Sequence, residues 1–207
     1  MMVYCKHLER GRIMATKDEI KDSAYYCFAH YGYEGTTMQD IAKAVGLKKQ
    51  SLYSHFESKE ELYLLVLQEQ RLQIFAEMKQ AYEQVKNESA EDLLKGLFGS
   101  IVSMFTDRER LLLWKRMFIY YGSGTNVLIS DTTEWHFDKR LKDMLYKALN
   151  ERYPALADYS AFESFFISYM LMIQGYLDWM ITMGHDRASW QAVWMSFWNG
   201  VKNLFLF

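Results

Sequence analysis

Proline occurs once in the 207 residues, at Pro154, and cysteine only twice. With one helix breaker and 11 glycines, the chain has few forced turns, which suits an all-helical protein. Cys5 and Cys27 are too few and too scattered for a disulfide framework or a zinc site. Cys27 falls in a helical apolar pattern, as a small core residue does. A strong charge of one sign is missing too: the net charge is −2. That excludes a surface coated in basic residues, so any contact with nucleic acid has to be local. The longest apolar stretch, near Phe165 to Ile173, falls short of the ~18 to 20 residues that span a bilayer, so no membrane partner is expected. No apolar core follows the charges of the opening MMVYCKHLERGRIM, so this is not a secretory signal, and the expected location is cytoplasmic.

Chemistry is lacking as well. The five histidines show no H-x-x-x-H spacing, and no metal site or cofactor is expected. Gly122-x-Gly124 follows a helical pattern rather than a strand, so it reads as a loop and not a nucleotide fingerprint. No serine sits in a nucleophile elbow, and no strand system exists to hold one. The chain is not expected to be an enzyme.

What is present is helix. Half of the residues are apolar and 16% are aromatic, enough for a real core. A capping-box spacing, Ser or Thr with an acid three residues on, recurs at Thr16/Glu19, Thr37/Asp40, Ser58/Glu61, Ser89/Asp92, Thr106/Glu109 and Ser160/Glu163. Acidic N-caps are placed at Asp131 and Asp186. With a further helix from about Lys48, nine helices follow, and no strand alternation. The first, about 17–31, lines up Ile20, Ala24, Cys27, Phe28 and Tyr31 on one side. The fourth, about 58–86, has an apolar first half in Leu62, Leu65, Val66, Leu72 and Phe75. No linker interrupts that helix. Because Met14 precedes a good helix start, residues 1–13 read as an upstream extension.

The stretch Thr36 to Lys59 stands out. Thr37 caps a short helix whose apolar face is Ile41, Ala42 and Val45, and Gly46 stops it. A second helix from about Lys48 turns Leu52 and Phe56 inward, and its other face holds Lys48, Lys49, Gln50, Ser51, Tyr53, Ser54 and His55. Two helices about a tight turn, the second rich in exposed donors, is the helix-turn-helix arrangement for the DNA major groove. Between Thr36 and Lys59, four lysines face Asp40 and Glu57, a local excess of +2. So small an excess points to binding in pairs.

Phe28, Gly32-Tyr33-Glu34-Gly35-Thr36-Thr37, Asp40-Ile41-Ala42, Ala44-Val45-Gly46-Leu47, Leu52-Tyr53-Ser54-His55-Phe56 and Ser58-Lys59-Glu60-Glu61-Leu62 together resemble the N-terminal domain of the TetR family of transcriptional regulators. The resemblance runs from about Thr16 to Leu67, a quarter of the chain. It implies an all-α, nine-helix fold: an extension at 1–15, a three-helix head at 16–57, and an effector-binding and dimerisation body at 58–207. It implies a homodimer on a palindromic double-stranded DNA operator, most simply a repressor, released by a small effector. In such a head Lys49 and Gln50 suit base edges, lysine for guanine O6/N7 and glutamine for adenine N6/N7. Lys48 and Ser51 reach bases or phosphates, and Thr37, Tyr53, His55 and Lys59 hold phosphates. The chain departs from the family pattern at Lys48, Gln50 and Ser54. Lys48 leaves the recognition helix without a side-chain N-cap, at ~1 kcal/mol.

For the body, the resemblance places an effector among Phe105, Trp114, Phe118, Tyr121, Trp135, Met172 and Tyr176, with Gln174, His136 and Asp178 as polar anchors. Such a lining suits a large hydrophobic or aromatic molecule. The last two helices, about 160–183 and 187–205, are apolar almost all round, so each has a stripe left over for a partner. Phe165, Tyr169, Gly175, Trp190, Trp194, Phe197 and Val201 are the expected dimer contacts. A second reading keeps the helical body but makes the head a protein-binding module. DNA affinity that falls steeply with salt would separate the two.

Overall fold

The computed structural model describes residues 16–119, 137–183 and 189–206. Every regular element among them is helical: α1 (Lys17–Gly35), α2 (Met38–Ala44), α3 (Lys49–Leu52), α4 (Lys59–Val85), α5 (Ala90–Met104), α6 (Arg108–Ile119), α7 (Phe137–Leu149), α8 (Tyr159–Met183) and α9 (Ser189–Val201), with short 3-10 turns at Pro154–Leu156 and Lys202–Phe205. Nine α-helices among the described residues match the expected architecture.

The caps explain where many of these helices begin. Thr16 and Thr37 form complete capping boxes with Glu19 and Asp40. The hydroxyls of Ser58 and Ser89 accept from the amides of Glu61 and Asp92. Two expected caps are not used. Asp158, not Ser160, caps α8, accepting from the Ala161 amide at 3.1 Å. The Thr106 hydroxyl donates to the Ser103 carbonyl instead, and Glu109 faces His30. Asp131 and Asp186 lie outside the described residues, as do residues 1–15 and the loop at 122–126.

The chain divides into two compact units, residues 1–72 with 109–131, and 73–108 with 132–207. In the first, α1 buries Ile20, Ala24, Cys27, Phe28 and Ala29, α2 buries Met38, Ile41 and Ala42, and Leu52 and Phe56 follow. α4 contributes Leu62, Tyr63, Val66 and Leu67, and α6 contributes Leu111, Leu113, Trp114 and Met117. Each Leu, Ile, Val, Phe or Met among them, fully buried, contributes about 1.5–3 kcal/mol. Phe28 meets Tyr63 edge-on at 4.8 Å. Tyr31 and Leu72, both expected inside, are 57% and 62% exposed.

The second unit is aromatic. α8 places Phe162, Phe165, Phe166, Tyr169 and Tyr176 inward, and Trp194 of α9 is wholly buried. Trp194 stacks on Trp198 at 5.6 Å, and Trp198 on Phe205 at 5.2 Å. The buried Tyr169 hydroxyl donates to the Leu94 carbonyl at 2.7 Å, which satisfies its one polar atom. Gly99 of α5 lets Trp190 approach so closely that a Cβ there would sit 3.1 Å from the indole. Among the described residues, no helix is long and apolar enough to cross a membrane.

Candidate nucleic-acid interface

The end of α1 sets the interface in place. Gly32 has φ 72° and ψ 178°, a region essentially restricted to glycine, and it interrupts the helix. Three donors gather the carbonyls around this break. The buried Thr36 hydroxyl lies 2.7 Å from the Gly32 carbonyl and 3.1 Å from that of Cys27. Lys59 Nζ donates to Tyr33 O at 2.8 Å and Thr36 O at 3.0 Å, 4.1 Å from the Tyr33 ring centroid. Arg116 reaches Ala29 O and His30 O. Two cations at the carbonyl end of a helix also face the negative pole of its dipole. Burial, with the Asp40 charge adding to it, pushes the Cys27 thiol up to about 11, so it is a packing residue and no thiolate.

α2 then runs from its capping box to a Schellman turn. Leu47 N donates to Ala42 O at 2.8 Å and Gly46 N to Lys43 O at 3.2 Å, with Gly46 at φ 70°. Lys48 follows with no side-chain cap, as expected, and α3 is a single turn that buries Leu52. Lys48, Lys49, Gln50, Ser51, Tyr53 and Ser54 are all exposed, and His55 is half-buried. α3 and the residues that flank it therefore present two ammoniums, an amide, two hydroxyls and a phenol. The Lys49 ammonium lies 5.9 Å from the Tyr53 ring centroid. The Ser54 hydroxyl donates to Ser51 O at 2.7 Å, which leaves its oxygen to accept.

Two expected phosphate contacts are engaged within the head. Thr37 gives both its amide and its hydroxyl to the Asp40 carboxylate, and these bonds hold that carboxyl below the usual range. Lys59 directs its ammonium at the α1 carbonyls. The set with outward-facing groups is Lys48, Lys49, Gln50, Ser51, Tyr53 and Ser54, with half-buried His55 beside it. Sequence reasoning missed Thr36 and Arg116, whose partners lie 9 and up to 87 residues away.

Residues 20–66 match the family profile described as bacterial regulatory proteins, tetR family. The biofilm-operon HTH-type negative transcriptional regulator IcaR of Staphylococcus epidermidis is 53% identical over 47 residues, which are 23% of this chain and 25% of that protein. The chain thus spans about a quarter of the length of that curated relative. The fold likeness runs much further. A transcriptional regulator from Rhodococcus sp. Rha1 superposes with a TM-score of 0.70 at 12% identity, over 93% of this chain and 100% of the other. A TetR-like regulator from the same source superposes at 0.68 and 18% identity, over 95% and 99%. Residues 20–66 are thus of the TetR type in sequence, and the described residues share the fold of TetR-like regulators.

Beyond the TetR-type head the expected sites fare unevenly. Phe105 and Trp114 are each only 1% exposed. Tyr176 is also buried, edge-on to Phe98 at 5.6 Å, and Met172, one turn earlier, is half-buried. Tyr121, Trp135 and His136 lie outside the described residues, and Phe118 is described only as backbone. A cleft of about 650 Å³ opens on α4 and α7, but Tyr82, Glu83, Lys86, Lys147 and Arg152 are among its lining and none of the expected effector residues is.

Most of the expected dimer set is packed inside a single protomer. Phe165, Tyr169 and Trp194 are 3%, 0% and 0% exposed within one protomer, so they have no surface to offer a partner. Phe197 packs on Tyr169 at 5.8 Å, and Trp190 on Phe98 at 5.6 Å. Those rings form the stripe that the unit keeps for itself, since the largest apolar side chains gain most from burial. The outward stripe of α8 is Ile167, Leu171 and Gly175, with Ile167 52% and Leu171 68% exposed. On α9 it is Ala192, Met195, Ser196 and Gly200. Gly175 is exposed, and a Cβ added there or at Gly200 would meet nothing within 4 Å. Val201 is half-buried at the edge.

Proposed function

We propose that the chain is a homodimeric, operator-binding repressor controlled by a small hydrophobic or aromatic effector. The observation that carries this reading is the face of α3. It holds Lys49, Gln50 and their neighbours outward while Leu52 anchors the helix below, on a head that matches the TetR profile. Lys49 and Gln50 have the donor geometry for purine edges in the major groove. Lys48, Ser51, Tyr53 and His55 are the phosphate or base contacts that set register. The net charge of −2 makes a single head a weak binder, so two heads on half-sites ~34 Å apart supply the affinity.

Dimerisation through α8 and α9 is part of this reading. Ile167, Leu171 and Met195 supply apolar surface, and Gly175 and Gly200 permit close helix approach. The effector is proposed to act in the helical body, near Met172 and Tyr176 on α8. A ligand there controls DNA binding only through its different affinity for the two states of the protein. As in the IcaR relatives, whose name records negative regulation, repression is the mode we assign.

The test is an operator selected from random duplexes. Wild-type protein is expected to bind it with affinity that falls steeply with salt. Lys49→Ala with Gln50→Ala is expected to lower operator affinity at least ~30-fold, since each good base contact is worth ~1–3 kcal/mol, with the dimer intact. Unchanged affinity in the double variant would remove α3 as the reading helix. Absence of any DNA binding at ~50 mM salt would favour the protein-binding alternative.

A further inference from the structure

α6 ends up in the same compact unit as the helix-turn-helix. Its Arg116 side chain is half-buried and reaches the broken end of α1. Nε donates to Ala29 O at 2.9 Å and Nη2 to His30 O at 2.8 Å. These two carbonyls lie just ahead of Gly32, where non-helical dihedrals interrupt the intrahelical ladder. A planar guanidinium offers two donors in a fixed fork and so binds adjacent carbonyls together, which a lysine ammonium cannot do with the same geometry. Nearer the start of α6, Glu109 Oε1 lies 3.1 Å from His30 Nε2, a second tie to the same turn of α1. His30 in turn packs on Tyr26 at 4.2 Å.

The chain leaves this point for the DNA-facing helices. Four residues after Gly32, Thr36 folds back on the break, and Thr37 opens α2. The direction in which α1 ends therefore sets the direction in which α2 and α3 are presented. We propose that Arg116 is a positioning residue for operator reading: by forking the Ala29 and His30 carbonyls it fixes the end of α1, and with it the recognition helix, on α6. It touches no DNA itself, and the inference rests on the reading of the head given above.

Arg116→Met keeps the length of the stem and removes both donors. Phosphate contacts tolerate small misplacement of a helix, whereas bidentate base contacts do not. The variant is expected to lose about tenfold in affinity for the selected operator and to bind a random duplex within about twofold of wild type at low salt. Arg116→Lys, with one donor point in place of a fork, is expected to fall between. A merely structural role would unfold a fraction of the heads and weaken both duplexes in proportion. That result, or an unchanged operator affinity in Arg116→Met, would overturn the proposal. A wild-type protein that does not distinguish operator from random duplex would instead sink the reading of the head, and the proposal with it.

Discussion

The two compact units are held together by different physics. The head depends on polar ties to backbone: two complete capping boxes, a Schellman turn, and Thr36, Lys59 and Arg116 on the carbonyls around Gly32. The second unit depends on ring packing, with Phe162, Phe165, Tyr169, Trp194 and Trp198 buried among one another. Directional bonds specify where a helix starts, stops and points. Ring packing supplies more free energy and less direction. The proposed presentation of six or seven side chains to DNA calls for the first kind of control. A body that encloses a core can rely on the second.

The sharpest way to break this contrast is to remove one ring. Trp194→Ala empties a wholly buried site and is expected to destabilise by about 3–5 kcal/mol. Hydrogen exchange should localise the loss to α5, α8 and α9, with amides of α1–α3 little changed. Equal loss of protection in both units would mean that they unfold as one body and that the contrast has no energetic meaning.

Gly32→Ala makes the complementary cut. No space is emptied, but a Cβ is forced into a backbone conformation reserved for glycine, at about 1–3 kcal/mol. Here the loss should appear in α1–α3 and in operator affinity, with α8 and α9 protected as before. A variant that folds with full operator affinity would show that the break is not needed.

The sequence made much of this visible, for a physical reason. A cap is a local device in which donor and acceptor are three residues apart, so Thr16, Thr37, Ser58 and Ser89 could be read directly. Gly46 was legible in the same way. The misreadings at Thr106 and Ser160 arose where a competitor was present: Asp158 precedes Ser160, and Glu109 has His30 as partner 79 residues away. Ties such as Arg116 to Ala29 have no local signal at all. The apolar stripes of α8 were legible as two stripes, but periodicity cannot tell which faces in. The structure turns the aromatic stripe inward and leaves Ile167 and Leu171 outside.

That assignment gives a smaller test. Leu171→Glu adds a charge on a side chain already 68% exposed, so protomer stability should change by no more than ~0.5 kcal/mol. The proposed dimer, which would have to bury that charge, should dissociate by sedimentation at concentrations where wild type stays paired, and operator affinity should fall with it. A variant that stays dimeric would place the interface elsewhere.

The smallest effect belongs to the cap of α2. The Thr37 hydroxyl, followed by the Thr37 amide, holds the Asp40 carboxyl below its ordinary pKa. The sign follows from linkage. A carboxyl depressed in the folded state adds stability that is fully present above the unfolded value of ~3.9 and is lost as pH falls through the lower folded value. Asp40 is exposed, so solvent screens the contribution and keeps it under about 1 kcal/mol. Asp40→Asn should therefore melt slightly below wild type at neutral pH, and the gap should close as the pH drops below ~4. A gap that persisted in acid would mean that the capping box works by geometry alone, with no contribution from the charge.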